Sequence, residues 1–174
     1  MIKSNLVLAT TLLVAAATVH AGGNPEFVPY PPNYQKSMVH YATLNRGNGK
    51  QVAKMYADHA TVDAYRNGKP APTGAWVIME VYKAKFDANK QPVVGVDGIF
   101  EIAGPAATAV MHRLDSWPAG FPASDRAGGW GFAMYTPDGK PKENKLECAK
   151  CHVPLDKQDF LVTHDRLMKY ASQH

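Results

Sequence analysis

At 174 residues the chain has room for one domain and a leader, and is too short for two full domains. Hydrophobic residues at 45% and charged residues at 20% are the proportions of a folded globular protein, which excludes a disordered chain, a collagen and a coiled-coil rod. The formal net charge of +4 is mild and the 19 lysines and arginines are scattered, so no basic stripe interleaved with aromatics speaks for nucleic-acid binding.

Taken in chain order, residues 1–21 read as a signal peptide. Lys3 gives the positive start, residues 6–17 form an apolar run, and Val19-His20-Ala21 suits the processing enzyme, with cleavage expected after Ala21. The apolar run is short for a membrane span, which takes about 20 residues, so an uncleaved anchor is the lesser alternative. The expectation is an exported, periplasmic protein whose domain covers residues 22–174 and never crosses a bilayer. Residues 24–34 are rich in Pro and Tyr and read as an extended entry. A short helix is expected from Tyr34 to about Tyr41, then a loop over 45–49. Residues 51–57 alternate like a strand. Asp58 is placed to cap a helix over 59–67, with Gly68 as its stop. Residues 76–86 read as a long strand, with Val77, Met79 and Val81 on one face and Trp76, Ile78, Glu80 and Tyr82 on the other. Further strands are expected over 99–103, 107–113 and 130–135, a turn over 136–140, and helices over 145–152 and 164–171. The expected fold class is α+β, a single domain built mainly of antiparallel sheet with short helices.

The two cysteines of the chain fall together, in Cys148-Ala149-Lys150-Cys151-His152. C-x-x-C-H is the attachment sequence of c-type haem. Two thiols about one helical turn apart can add to the two vinyl groups on one porphyrin edge, and the next residue then offers its imidazole to the iron. One covalently attached haem c is therefore expected, on Cys148 and Cys151, with His152 as the metal ligand. Dithiol redox chemistry is the alternative for the same cysteines. The motif lies late, with only residues 153–174 after it, and the 14 glycines, 13 prolines and β-rich runs do not fit a four-helix bundle.

These features, with Pro32-Asn33-Tyr34, Tyr56-Ala57-Asp58, Tyr65-Arg66-Asn67-Gly68, Gly74 through Tyr82, Gly129-Trp130-Gly131-Phe132 and Phe160 through Tyr170, resemble the cytochrome P-460 and cytochrome c′-β family. The resemblance implies a β-rich periplasmic homodimer with one five-coordinate haem per chain, His152 proximal and the distal side open. Members of this family either oxidise hydroxylamine or bind nitric oxide and related small ligands. The oxidising members carry a lysine bonded to the porphyrin just before a glutamate. Here Met79 stands before Glu80 at that place. A thioether cannot form the bond that the lysine nitrogen makes, and Lys83 on the same strand lies about 13 Å further along. Both facts argue against hydroxylamine oxidation.

Around the haem, Met79 is a candidate distal wall residue or sixth ligand, with an adaptable core side chain as the plain alternative. Phe100, Trp130 and Phe132 are candidate haem-wall aromatics, or ordinary core. His112 would serve as a ligand or distal donor only if it faced inward, and Arg113 is close enough in sequence to pair with Asp115. Three functions compete. The first is binding of a small diatomic or nitrogen-oxide ligand at an open sixth site. The second is electron transfer to a redox partner protein, with that site closed. The third is hydroxylamine oxidation.

Overall fold

The computed structural model describes residues 23–143 and 145–174, so the expected leader over 1–21 lies outside the described residues. In chain order it runs α1 (Tyr34–Ser37), β1 (Val39–Asn45), β2 (Gln51–Ala57), α2 (His59–Arg66), β3 (Trp76–Ala84), β4 (Ile102–Arg113), a 3-10 turn (Ala123–Asp125), β5 (Trp130–Tyr135), α3 (Cys148–His152), a 3-10 stretch (Val153–Gln158) and α4 (His164–Gln173). The strands form one antiparallel sheet in the order β1-β2-β3-β4-β5, so every strand pairs with its neighbour in sequence. This is the α+β arrangement expected from the sequence. Among the described residues, no helix is long and apolar enough to cross a membrane.

Several expected boundaries need correction, among them the end of the strand expected over 76–86, which stops at Ala84. The helix expected from Tyr34 to Tyr41 ends at Ser37, and the chain turns at once into β1. Val39, Tyr41 and Thr43 are good strand residues, and pairing with β2 decides their state. The two strands expected over 99–103 and 107–113 are one, β4. Pro105 sits within it, and the register slips between Val81 and Tyr82 so that Ala106 is extra. A bulge of this kind lets a strand carry a residue without an N–H.

Elsewhere the local chemistry does what its residues dictate. The Asp58 carboxylate accepts from Thr61 N at 2.7 Å to cap α2, and its other oxygen accepts from Trp76 N at 2.5 Å, fixing the start of β3. Gly68, at φ +66°, closes α2 in a left-handed conformation that suits glycine.

Alternation along the strands gives the sheet two different faces. Successive rows on one face read Ala57–Val77–Met111–Phe132 and Met55–Met79–Ala109–Met134 across β2, β3, β4 and β5. The main core joins this face to Val62 and Tyr65 of α2, Ala149 of α3, Leu161, and Leu167 and Ala171 of α4. The Tyr41 and Thr163 hydroxyls share a hydrogen bond of 2.7 Å that ties β1 to the start of α4.

The opposite face carries Glu80, buried at 5% exposure. Its carboxylate accepts from Gln35 Nε2 at 2.7 Å and from the hydroxyls of Tyr34 (2.8 Å), Tyr82 (2.8 Å) and Tyr56 (3.1 Å). Burial alone would raise the Glu80 pKa, but these donors hold it below the usual carboxylate value. One ionised group thus pins α1 to the sheet. His112 lies on this face too, stacked on Trp76 with ring centroids 3.7 Å apart and with Nδ1 3.1 Å from the Ala75 carbonyl.

Replacing Glu80 by Leu removes the acceptor of three tyrosyl hydroxyls, two of which, on Tyr34 and Tyr56, are buried. At roughly 1–3 kcal/mol for each buried polar group left unpaired, stability should fall by about 3 kcal/mol or more. Thermal unfolding should then begin about 6–12 °C lower. A second expectation concerns acid. Burial lowers the His112 pKa below its ordinary 6.5, against upward pulls from the Ala75 carbonyl and Asp58. Above that value His112 is neutral in both folded and unfolded chains, so it adds no pH dependence. Below it the unfolded chain binds a proton that the folded chain refuses, and stability drops with pH until the folded pKa is passed. Urea midpoints measured from pH 7 to pH 5 should therefore decline less steeply in His112→Gln than in the parent.

Candidate functional site

The Cys148–His152 segment forms a single helical turn, shorter than the helix expected over 145–152. Positions three and four apart on a helix share a face, which places the side chains of Cys148, Cys151 and His152 toward one side. Ala149 is buried against the core and anchors the turn. Cys148 is half-buried and Cys151 exposed, and both are free thiols. Burial pushes the Cys148 thiol pKa up, with the charges of Cys151 and Asp125 adding to it. The Glu147–Lys150 pair at 2.9 Å is fully on the surface and adds little.

His152 is fixed by two contacts. Its ring packs against Phe132 at 4.7 Å, and its Nδ1 lies 2.6 Å from the Phe160 carbonyl oxygen. Burial lowers the imidazole pKa, opposed by that same hydrogen bond, so the ring is neutral at pH 7. A carbonyl can only accept, so Nδ1 carries the proton and donates it. The Nε2 lone pair is then left for a metal. This is the orientation that outer-shell partners impose on a ligating histidine.

The Phe160 carbonyl comes from an unusual turn. Asp159 (φ 49°) and Phe160 (φ 62°) both have left-handed backbones, which non-glycine residues seldom adopt. The Phe160 ring covers Gly128, where an added Cβ would come within 2.2 Å of it, so only glycine fits there. Asp159 accepts from Arg113 Nη1 at 2.7 Å, and Arg113 is thus paired with Asp159 rather than with Asp115. Neither Asp159 nor the Phe160 carbonyl was picked out by the sequence. A backbone acceptor has no side-chain signature, and a partner 46 residues away leaves no spacing to read.

The other sequence-derived candidates are distributed as follows. Phe132 touches His152 directly. Trp130, two residues earlier on the same face of β5, is fully buried in the main core, beneath the Arg113 guanidinium at 5.9 Å. Among the described residues its Nε1 has no hydrogen-bond partner, and neither do the buried Asp125 Oδ2 and Arg126 Nε. Met79 lies on the site face, half-buried against the same core, one row and two strands from Phe132. Phe100 stands apart on the long β3–β4 connection, where it bridges to Val94 and its N–H donates to Asn45 Oδ1 at 2.8 Å. His112 faces the opposite side of the sheet. A surface cleft of about 290 Å³ opens beside Asp159, between Tyr65, Lys69, Pro70, His164 and Met168.

The donor set has a clear chemical character. Among the described residues no three His, Cys, Asp or Glu side chains converge to hold a bare metal ion. What the chain offers is one neutral imidazole with its tautomer set, beside two reduced thiols. That set fits a metal arriving inside a macrocycle that supplies its own in-plane ligands. Comparison with known proteins agrees with this chemistry. Residues 31–163 match the family described as Cytochrome P460, and no curated protein matches the chain. With the match spanning all five strands and the Cys148–His152 turn, the chain belongs to the cytochrome P460 family and is a haem-binding cytochrome.

Proposed function

We propose that this cytochrome carries a single haem c, bound through Cys148 and Cys151 with His152 as proximal ligand, and that it binds nitric oxide or a related small nitrogen oxide. The observation carrying this reading is the His152 Nδ1 contact to the Phe160 carbonyl at 2.6 Å, on the same turn as two free thiols. A neutral imidazole held in that tautomer is built to donate from Nε2. When bound, the haem iron supplies a coordination site for diatomic ligands.

The wall available to such a ligand is apolar. The rows containing Met79 and Met111 present Val, Ala, Met and Phe side chains without one ionisable group. Such a surface favours neutral ligands over charged ones. Hydroxylamine oxidation is disfavoured, since Met79 stands where the oxidising members carry their lysine. The second reading is an electron carrier serving a redox partner protein, favoured by the thioethers of Met55, Met79 and Met134 in one row, any of which is a possible sixth ligand in chemical type.

Residues 1–21 act as a cleaved signal peptide, leaving residues 22–174 as one haem domain in the periplasm. The protein works as a homodimer. Exposed Phe86, Val94, Val96 and Ile102, on and beside the β3–β4 connection, are the apolar side chains such an assembly would cover.

The deciding measurement is the visible spectrum of ferrous protein made in a periplasm competent for c-type haem maturation. The expected result is a high-spin, five-coordinate spectrum that shifts on addition of nitric oxide. A low-spin spectrum indifferent to nitric oxide would sink ligand binding and leave the electron carrier. Two variants test the attachment. Cys148→Ser/Cys151→Ser should yield a haem that acid organic solvent extracts, where the parent retains it. His152→Gly should keep the covalent haem but need added imidazole to recover the parent spectrum.

A further inference from the structure

The geometry points to Asp159 as the positioning residue for His152: it holds the left-handed turn that aims the Phe160 carbonyl at the imidazole. This role rests on the reading of His152 as proximal ligand.

The Phe160 carbonyl reaches His152 only because two successive L residues, Asp159 (φ 49°, ψ 34°) and Phe160 (φ 62°), adopt a conformation disfavoured for both. Such a backbone persists only where its surroundings over-determine it. Asp159 supplies that restraint. Oδ1 accepts from Arg113 Nη1 on β4 at 2.7 Å. Oδ2 accepts from the Ala71 N–H at 2.8 Å and from the Tyr65 hydroxyl of α2 at 3.2 Å. Three donors from three separate parts of the chain therefore meet on one carboxylate, which is only 10% exposed. The next residue is caught as well, through Phe160 N to Leu155 O at 2.8 Å and through its ring over Gly128.

The consequence passes down a short physical chain. The carboxylate fixes the turn, the turn fixes the carbonyl, and the carbonyl fixes both the proton on Nδ1 and the ring orientation. A firm Nδ1–H···O bond raises the basicity of Nε2, which is how an outer-shell group tunes a metal ligand. A carboxylate that merely stapled the C-terminal segment to the sheet would change stability and leave the imidazole alone. The two roles separate on measurements made at His152.

The test uses haem-loaded protein in a diamagnetic ferrous form, as the carbon monoxide complex if the iron is otherwise high-spin. Proton NMR then reports the haem ring-current shifts of the His152 ring protons and the rate at which its Nδ1 proton exchanges with water. In Asp159→Asn that exchange should accelerate about fivefold, as expected when the net worth of about one hydrogen bond is lost at Nδ1. The midpoint potential should rise as the imidazole becomes a weaker donor. Tyr135→Phe, which removes a buried bond to the Val28 carbonyl on the opposite face, serves as the control for destabilisation alone and should move neither quantity. If Asp159→Asn does not load haem, Tyr65→Phe removes one of the three donors and should give a smaller change of the same sign. Unchanged exchange and potential in the variants, with lowered thermal stability, would overturn the positioning role and keep His152 as ligand. His152 protons without ring-current shifts in the parent would overturn the ligand assignment, and this role with it.

Discussion

Met79 and Glu80 are consecutive residues that point to opposite sides of one sheet, and this alternation is the constraint on which the rest of the structure depends. The five strands pair in sequence order, so the phase set on β3 is handed to β2 and β4, and from there to β1 and β5. A slip of one residue would send Glu80 into the apolar rows and Met79 among the tyrosines. The Glu80 carboxylate guards against that slip, since its four donors exist only on the far face. A buried ion is poor evidence for net stability, but it is good evidence for register, because an unpaired carboxylate in the apolar face would be very costly. The two central rows of the apolar face are thereby left free of charge, and the one cation beside them, Arg113, is paired with Asp159.

How the C-terminal segment lies on that face follows from a second set of polar contacts. α3 is one turn long and could not hold its own shape. It is held by Ala149 in the core, by the Phe132–His152 ring contact and by the hydrogen bond to the Phe160 carbonyl. The Arg113–Asp159 pair lies at the junction of β4, α2 and this segment, so the site is referenced to the sheet rather than to a free loop. Rigid referencing of this kind is what His152 needs in its proposed role as metal ligand, since its tautomer and tilt both depend on one acceptor.

Much of this could be read from the sequence, and the limits have physical causes. Strands β2 and β5 match their expected ranges because alternation and turn residues agree there, and α2 follows from Asp58 and Gly68, whose chemistry is local. The first three residues of β1, 39–41, fall within the helix expected from Tyr34, because pairing with β2, not local propensity, settles their state. The single β4 spans the gap between two expected strands, because the bulge that admits Pro105 exists only with β3 in place. In the candidate site, Cys148, Cys151 and His152 declare themselves through spacing, and Phe132 through its neighbours. Asp159 and Phe160 do not. Left-handed backbone is sought at glycine, and the partners of Asp159 lie 46, 88 and 94 residues away. His112 illustrates the converse case, a residue whose chemistry invited a functional role but whose strand phase turns it away from the site and onto Trp76.

Strand phase also decides what the site can do. Met79 occupies the site face by the alternation that buries Glu80, so on the proposed reading the departure from lysine is presented to the site rather than hidden behind the sheet. Its row offers thioethers from Met55 and Met134 and a methyl from Ala109, groups that are soft, polarizable and without protons to give. Chemistry that must remove protons and electrons from a nitrogen substrate needs a base within reach, and these two rows supply none. Coordination of a small neutral ligand needs only room and an apolar wall. On the proposed reading, the replacement of one nitrogen nucleophile by a thioether, in rows already free of charge, moves this member of the family from oxidation toward binding.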